Sequence, residues 1–60
     1  MTNAQAVEKL TPIYGQAEMV VDGVFVAKQG EVFEMFRLTD GVLEHRTDVD
    51  FHTVRWDVMA

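Results

Sequence analysis

From Glu18 onward, the sequence consists of short runs rich in β-branched and aromatic residues, separated by glycine-containing dipeptides. Such runs favour strands, and Asp-Gly between two of them is the strongest short-range signal for a hairpin turn. The tripeptide Asp-Gly-Val occurs at residues 22–24 and again at residues 40–42. We predict three main strands and a fourth segment, at residues 19–28, 31–39, 42–47 and within 49–59.

Two-residue loops at Gln29-Gly30 and Asp40-Gly41 define a register in which three pairs of opposite charges face each other. The facing residues are Lys28 and Glu31, Val26 and Phe33, Val24 and Met35, Asp22 and Arg37, Leu38 and Leu43, and Arg37 and Glu44. Each charge pair is worth only about 0.2–1 kcal/mol. Their agreement favours this register over a three-residue loop at residues 28–30, which would slip the pairing by one residue.

In this register Gly23 lies in mid-strand opposite Phe36, where an aromatic ring can compensate for the missing side chain of a glycine. The first Asp-Gly-Val is therefore predicted to be strand, and only the second to be a turn. One sheet face then has an apolar centre at Val24, Val26, Phe33 and Met35. The other has one at Val21, Phe25, Ala27, Val32, Phe36, Leu38 and Leu43.

In an antiparallel sheet with one face exposed to solvent, apolar and polar residues alternate along each strand. Two apolar faces exceed what one short helix can cover, so we expect self-association, most simply as a homodimer. Trp56 is favoured as a core residue, with an interface anchor as the alternative, since interfaces are enriched in tryptophan. The candidate self-association or partner-binding residues are Val24, Val26, Phe33, Met35 and Trp56.

A short helix is predicted at the N-terminus, where Thr2 and Gln5 have the spacing of a capping box. Pro12 is expected to stop it, because the residue before a proline avoids the helical conformation. The segment 49–59 reads as a strand with a bulge near His52-Thr53, because β-branched and aromatic residues dominate it. The alternative is a helix capped by Asp50 that uses Phe51, Val54 and Val58.

These elements predict one α+β domain over residues 1–60, a short N-terminal helix with a three- to four-stranded antiparallel meander. A small all-β barrel of the SH3 type is the alternative. A chain of 60 residues buries only about 60% of its extended-chain surface and usually needs disulfides, a metal or a partner subunit. Because it has no cysteine, disulfides and thiolate metal sites are excluded, which favours a partner subunit.

The net charge of −5, from ten acidic and five basic residues, argues against nucleic acid and anionic membranes as direct partners. The N-terminus has no apolar run of signal-peptide length, and no run approaches the roughly 20 residues of a membrane span. We therefore expect a soluble, cytoplasmic protein.

Few residues suggest chemistry. On a strand, Asp48, Asp50 and His52 would share one face and could hold a divalent ion, although a solvated acidic face is the favoured interpretation. The chain has neither serine nor cysteine, and no phosphate-binding loop or dinucleotide motif occurs. We expect no catalysis, no cofactor and no metal site.

The predicted function is that of a non-enzymatic protein-binding module: a small acidic regulator, inhibitor or accessory subunit acting through a sheet edge or an acidic surface. One alternative is an acidic nucleic-acid mimic that blocks a basic nucleic-acid-binding protein. A second is an oligomeric enzyme or divalent-metal-binding protein. The candidate acidic surface consists of Asp40, Glu44, Asp48, Asp50 and Asp57.

Overall fold

The computed structural model describes residues 1–50 and 52–59. Within these residues, one helix is followed by five strands that form a single antiparallel sheet in the order β1-β2-β3-β4-β5. The elements are α1 (Asn3–Tyr14), β1 (Gln16–Val21), β2 (Val24–Gln29), β3 (Val32–Thr39), β4 (Val42–Asp48) and β5 (Val54–Val58). The α+β class is confirmed with more strands than predicted, and β1 and β5 are the edges of the sheet.

The N-terminal capping box is confirmed. The Thr2 hydroxyl accepts a hydrogen bond from the backbone amide of Gln5 at 3.2 Å. In return, the Gln5 side-chain oxygen accepts one from the backbone amide of Thr2 at 2.8 Å. The prediction that Pro12 stops the helix is wrong, because α1 continues to Tyr14. A proline removes one intrahelical hydrogen bond, and the last turn tolerates this. The helix ends at Gly15, whose amide donates to the Thr11 carbonyl at 3.0 Å.

Both Asp-Gly pairs are turns, so the prediction that the first one lies within a strand is wrong. Asp22-Gly23 joins β1 to β2, and the predicted strand 19–28 is thereby divided in two. The two turns differ in backbone conformation. At the second, Asp40 and Gly41 both have positive φ, 50° and 78°, as a type I′ turn requires. At the first, only Gly23 has positive φ, and the β1 pairing is irregular between Met19 and Val21.

The β2–β3 register is shifted by two residues from the prediction. The turn consists of Gly30 and Glu31, so that Phe25 faces Phe36 and Val26 faces Met35. The predicted pairs of Lys28 with Glu31 and of Asp22 with Arg37 are therefore absent; Asp22 instead accepts a hydrogen bond from the Asn3 side chain at 2.7 Å. Because the shift is even, every residue of β2 and β3 keeps its predicted face.

The β3–β4 register is confirmed. Leu38 faces Leu43 and Arg37 faces Glu44, as the Asp40-Gly41 turn predicts. The final segment forms strand β5, as favoured, but the strand begins only at Val54, and a turn before it takes the place of the predicted bulge near His52-Thr53. In that turn the Val49 amide donates to the Thr53 carbonyl at 3.0 Å. Phe51, which the helix alternative uses, lies outside the described residues.

The core lies on one side of the sheet. Helix α1 packs mainly on β1 and β2, with a smaller contact to β3. Among the described residues, the buried hydrophobic side chains are Ala6, Leu10, Ala17, Phe25, Ala27, Phe36 and Leu43. Three of these are alanines, so the buried apolar area is small for a chain without disulfides.

Replacing Gly15 with alanine is expected to lower the free energy of unfolding by about 3 kcal/mol, a large effect for one methyl group. Gly15 has φ 93° and ψ −168°, and a Cβ would lie 2.7 Å from the Lys28 carbonyl oxygen. Gly30→Ala is the matched control: its φ is also positive, at 63°, but no atom lies within 4 Å of the added Cβ. The control should lose only about 1 kcal/mol, and equal losses in urea unfolding would contradict this account of the helix end.

Candidate functional site

The sheet face opposite α1 is not covered by any described element. We call it the open face. Strand pairing and side-chain contacts assign it the following central residues: Val24, Val26, Phe33, Met35, Arg37, Glu44, Arg46 and Trp56. All five predicted contact residues, Val24, Val26, Phe33, Met35 and Trp56, are thus brought to one surface.

Trp56 belongs to the open face and not to the buried core, so the favoured core assignment is corrected. It is half-buried, and the Arg37 guanidinium lies over its ring at 4.2 Å from the centroid. Lys28 takes a similar position over Phe33, at 5.3 Å. Each cation thus shields part of an aromatic side chain that the fold leaves outside the core. As predicted, Arg55 points to the opposite face from Trp56.

Arginine–carboxylate pairs hold the β4 side of the open face. Arg37 donates to Glu44 at 2.8 Å, and this hydrogen bond lowers the pKa of the Glu44 carboxyl below its ordinary value. Arg46 lies 3.3 Å from the Asp48 carboxylate and donates to the Met35 sulphur at 3.7 Å. Sequence reasoning did not assign Arg46 to this surface, although side-chain alternation from Glu44 along β4 would have done so.

Two depressions indent the apolar part of the open face, with volumes of about 520 and 350 Å³. Val26 and Phe33 line both of them. The larger also reaches Met35 and Arg46, and the smaller reaches Glu18 and Lys28. The surface is therefore uneven and apolar at its centre, with charged groups towards its rim.

The five candidate acidic residues do not form one surface. Asp40 lies in the β3–β4 turn, and Asp48 and Asp50 lie at the other end of β4. Glu44 belongs to the open face, whereas Asp57 lies on the α1 side of β5. Asp57 accepts hydrogen bonds from Arg55 and Thr47, both at 2.9 Å, and these lower its pKa.

The proposed metal-binding trio is not arranged on one strand. Asp48 ends β4, whereas Asp50 and His52 lie in the following turn. Asp50 accepts a hydrogen bond from the His52 amide at 2.8 Å, which lowers the Asp50 pKa. In residues 1–50 and 52–59, no group of three or more metal-ligating side chains comes together.

A second polar cluster lies on the α1 side of the sheet, beyond the part that the helix covers. His45 Nε2 is 2.7 Å from a Glu34 carboxylate oxygen, and the His45 ring stacks on Phe36 at 4.9 Å. Tyr14 contacts both rings at the end of α1. The part of this face around His45 is thus polar and internally bonded, unlike the centre of the open face.

Comparisons of this chain with protein-family models, with curated proteins and with solved structures found no match. The helix in the described part of the chain falls short of the length and apolarity that a membrane crossing requires. The geometry of the open face is therefore the evidence for the function of this chain.

Replacing Arg37 with methionine is expected to raise the pKa of Glu44 towards its ordinary value, because the hydrogen bond that lowers it is lost. Arg55→Met is the control, which should raise the pKa of Asp57 and leave Glu44 unchanged. Side-chain carboxyl NMR titrations measure both. Since the folded-state pKa is the lower one, Glu44 stabilises the fold at neutral pH, and this contribution is lost as the pH falls through the folded-state pKa. A Glu44 pKa that is unmoved in Arg37→Met would refute the assignment.

Proposed function

We propose that this chain is a non-enzymatic protein-binding module whose contact surface is the open face. The observation that carries the proposal is the gathering of Val24, Val26, Phe33, Met35 and Trp56 on one surface that no described element covers. Contiguous apolar groups exposed on a small protein mark interaction sites when polar residues surround them.

The residue types support protein as the partner. Tryptophan, arginine and methionine are enriched at protein interfaces, and all three meet on the open face through the contacts of Arg37 with Trp56 and of Arg46 with Met35. Phe33 is 63% exposed, an unusual position for a phenylalanine in a protein with so small a core. Covering it would remove the most exposed aromatic ring of the described chain from water.

The open face is better supported than the sheet edges or an acidic surface. The β1 edge carries a bulge near Val20, and β5 is short with charged Arg55 and Asp57, features that protect edges from pairing. Three of the five candidate acids are paired with arginines, Glu44 and Asp48 on the open face and Asp57 on the α1 side. This dispersal leaves the nucleic-acid mimic without a continuous anionic surface.

A photo-crosslinking residue at position 33 tests the proposal. Benzoylphenylalanine in place of Phe33 should form covalent protein adducts in an extract of the native cells, because the side chain lies at the contact surface. The adducts are identified by mass spectrometry, as hetero-adducts or adducts with the chain itself.

The same crosslinker at Val32 is the matched control. Val32 is the neighbouring residue of β3, is similarly exposed at 60%, and belongs to the opposite face of the sheet. Protein adducts from position 33 but few from position 32 support the open face as the contact surface. Equal yields, or none from position 33, would sink the proposal.

A further inference from the structure

The charges of the open face differ from those of the rest of the molecule. In the described residues its acidic and basic side chains cancel, three against three: Glu18, Glu44 and Asp48 against Lys28, Arg37 and Arg46. The remaining surface therefore carries the whole net charge of −5. When two copies meet through their open faces, the surfaces in contact carry no net charge, so the repulsion between two acidic chains opposes this approach least.

The centre of the open face can contact its own copy without opposing like charges. Val26 and Met35 face each other across β2 and β3, with Val24 and Phe33 one pair further along on either side. An interface around a two-fold axis uses the same patch twice and therefore needs one that is self-complementary. An apolar centre meets this requirement, whereas a cationic or anionic one does not.

The size of the face is sufficient for a modest interface. Strands about 4.8 Å apart and about six residues long give a face of about 24 by 20 Å. Two such faces would together bury about 1,000 Å², the lower limit for a specific protein–protein interface. This area predicts a reversible dimer with concentration-dependent stability.

We infer that the open face is covered by a second copy of this chain, in a two-fold symmetric dimer centred on Val26 and Met35. The inference rests on the proposed function and names the partner of the same surface. It gives the chain a second apolar layer on the side of the sheet that α1 leaves bare. Sheets packed face to face lie about 10 Å apart with interdigitated side chains.

Sedimentation equilibrium of the purified chain, from about 1 to 500 μM, tests the dimer. We expect a monomer–dimer equilibrium that Phe33→Asp weakens at least about tenfold, since a buried carboxylate would face an apolar surface. Val32→Asp adds the same charge to the neighbouring position on the opposite face and should change the dissociation constant less than about threefold. Circular dichroism establishes that both variants are folded.

A second measurement applies if Phe33→Asp fails to fold. The melting temperature of the unaltered chain should rise with protein concentration, because association stabilises the folded state by mass action. The fluorescence of Trp56, the one tryptophan, should change over the same range. A monodisperse monomer throughout, with a constant melting temperature, would overturn the dimer.

The proposed function and the dimer fail separately. A monomer whose position 33 crosslinks to a different protein removes the dimer and leaves the protein-binding role. A dimer that is weakened equally by Phe33→Asp and Val32→Asp removes the open face as the dimer interface, whereas the crosslinking yields at positions 33 and 32 decide whether the open face contacts a different protein.

Discussion

The structure depends on two phenylalanines that face each other across β2 and β3. Phe25 and Phe36 are both fully buried, in a cluster with Leu10 of the helix. Burying side chains of this size is worth roughly 1.5–3 kcal/mol each, which exceeds any surface charge pair on this sheet. This pair sets the β2–β3 register, and the register in turn places Val26 opposite Met35 and sets which charges meet. The helix docks where the two rings and Ala27 provide an apolar surface.

Because the core lies on one side of the sheet, the other side is left without a covering element among the described residues. One short helix covers β1, β2 and part of β3, and the buried set includes three alanines. On the same face, the region of β4 and β5 beyond the helix carries hydrogen bonds among polar side chains, as between Thr47 and Asp57. The centre of the open face is apolar and, in the part of the chain that the structure describes, has no such network of polar side chains. The fold therefore combines a small core with an apolar surface of its own, a combination that association would resolve.

The errors in the predicted register show which signals were too weak. Charge pairs between Asp22 and Arg37 and between Lys28 and Glu31 suggested a register that would have placed Phe25 opposite Glu34. Exposed pairs contribute too little to outweigh the burial of an aromatic pair. The Asp-Gly signal for a turn at Asp22-Gly23 was correct, but the predicted register gave more weight to the apparent charge pairs. The assignment of β2 and β3 residues to the two faces stayed correct, because a shift of two residues preserves side-chain alternation.

The sequence by itself determined the helix start, the second hairpin and the division of β2 and β3 residues between two faces. These follow from local rules: the capping geometry of Thr2 and Gln5, the positive φ of Asp40-Gly41, and the alternation of side chains along a strand. Only the tertiary structure decided which face the helix covers. That choice depends on how Leu10, Phe25 and Phe36 fill one volume together, which no local pattern specifies. It leaves Trp56 and Met35 on the uncovered side, and so converts an apolar pattern into a candidate binding surface.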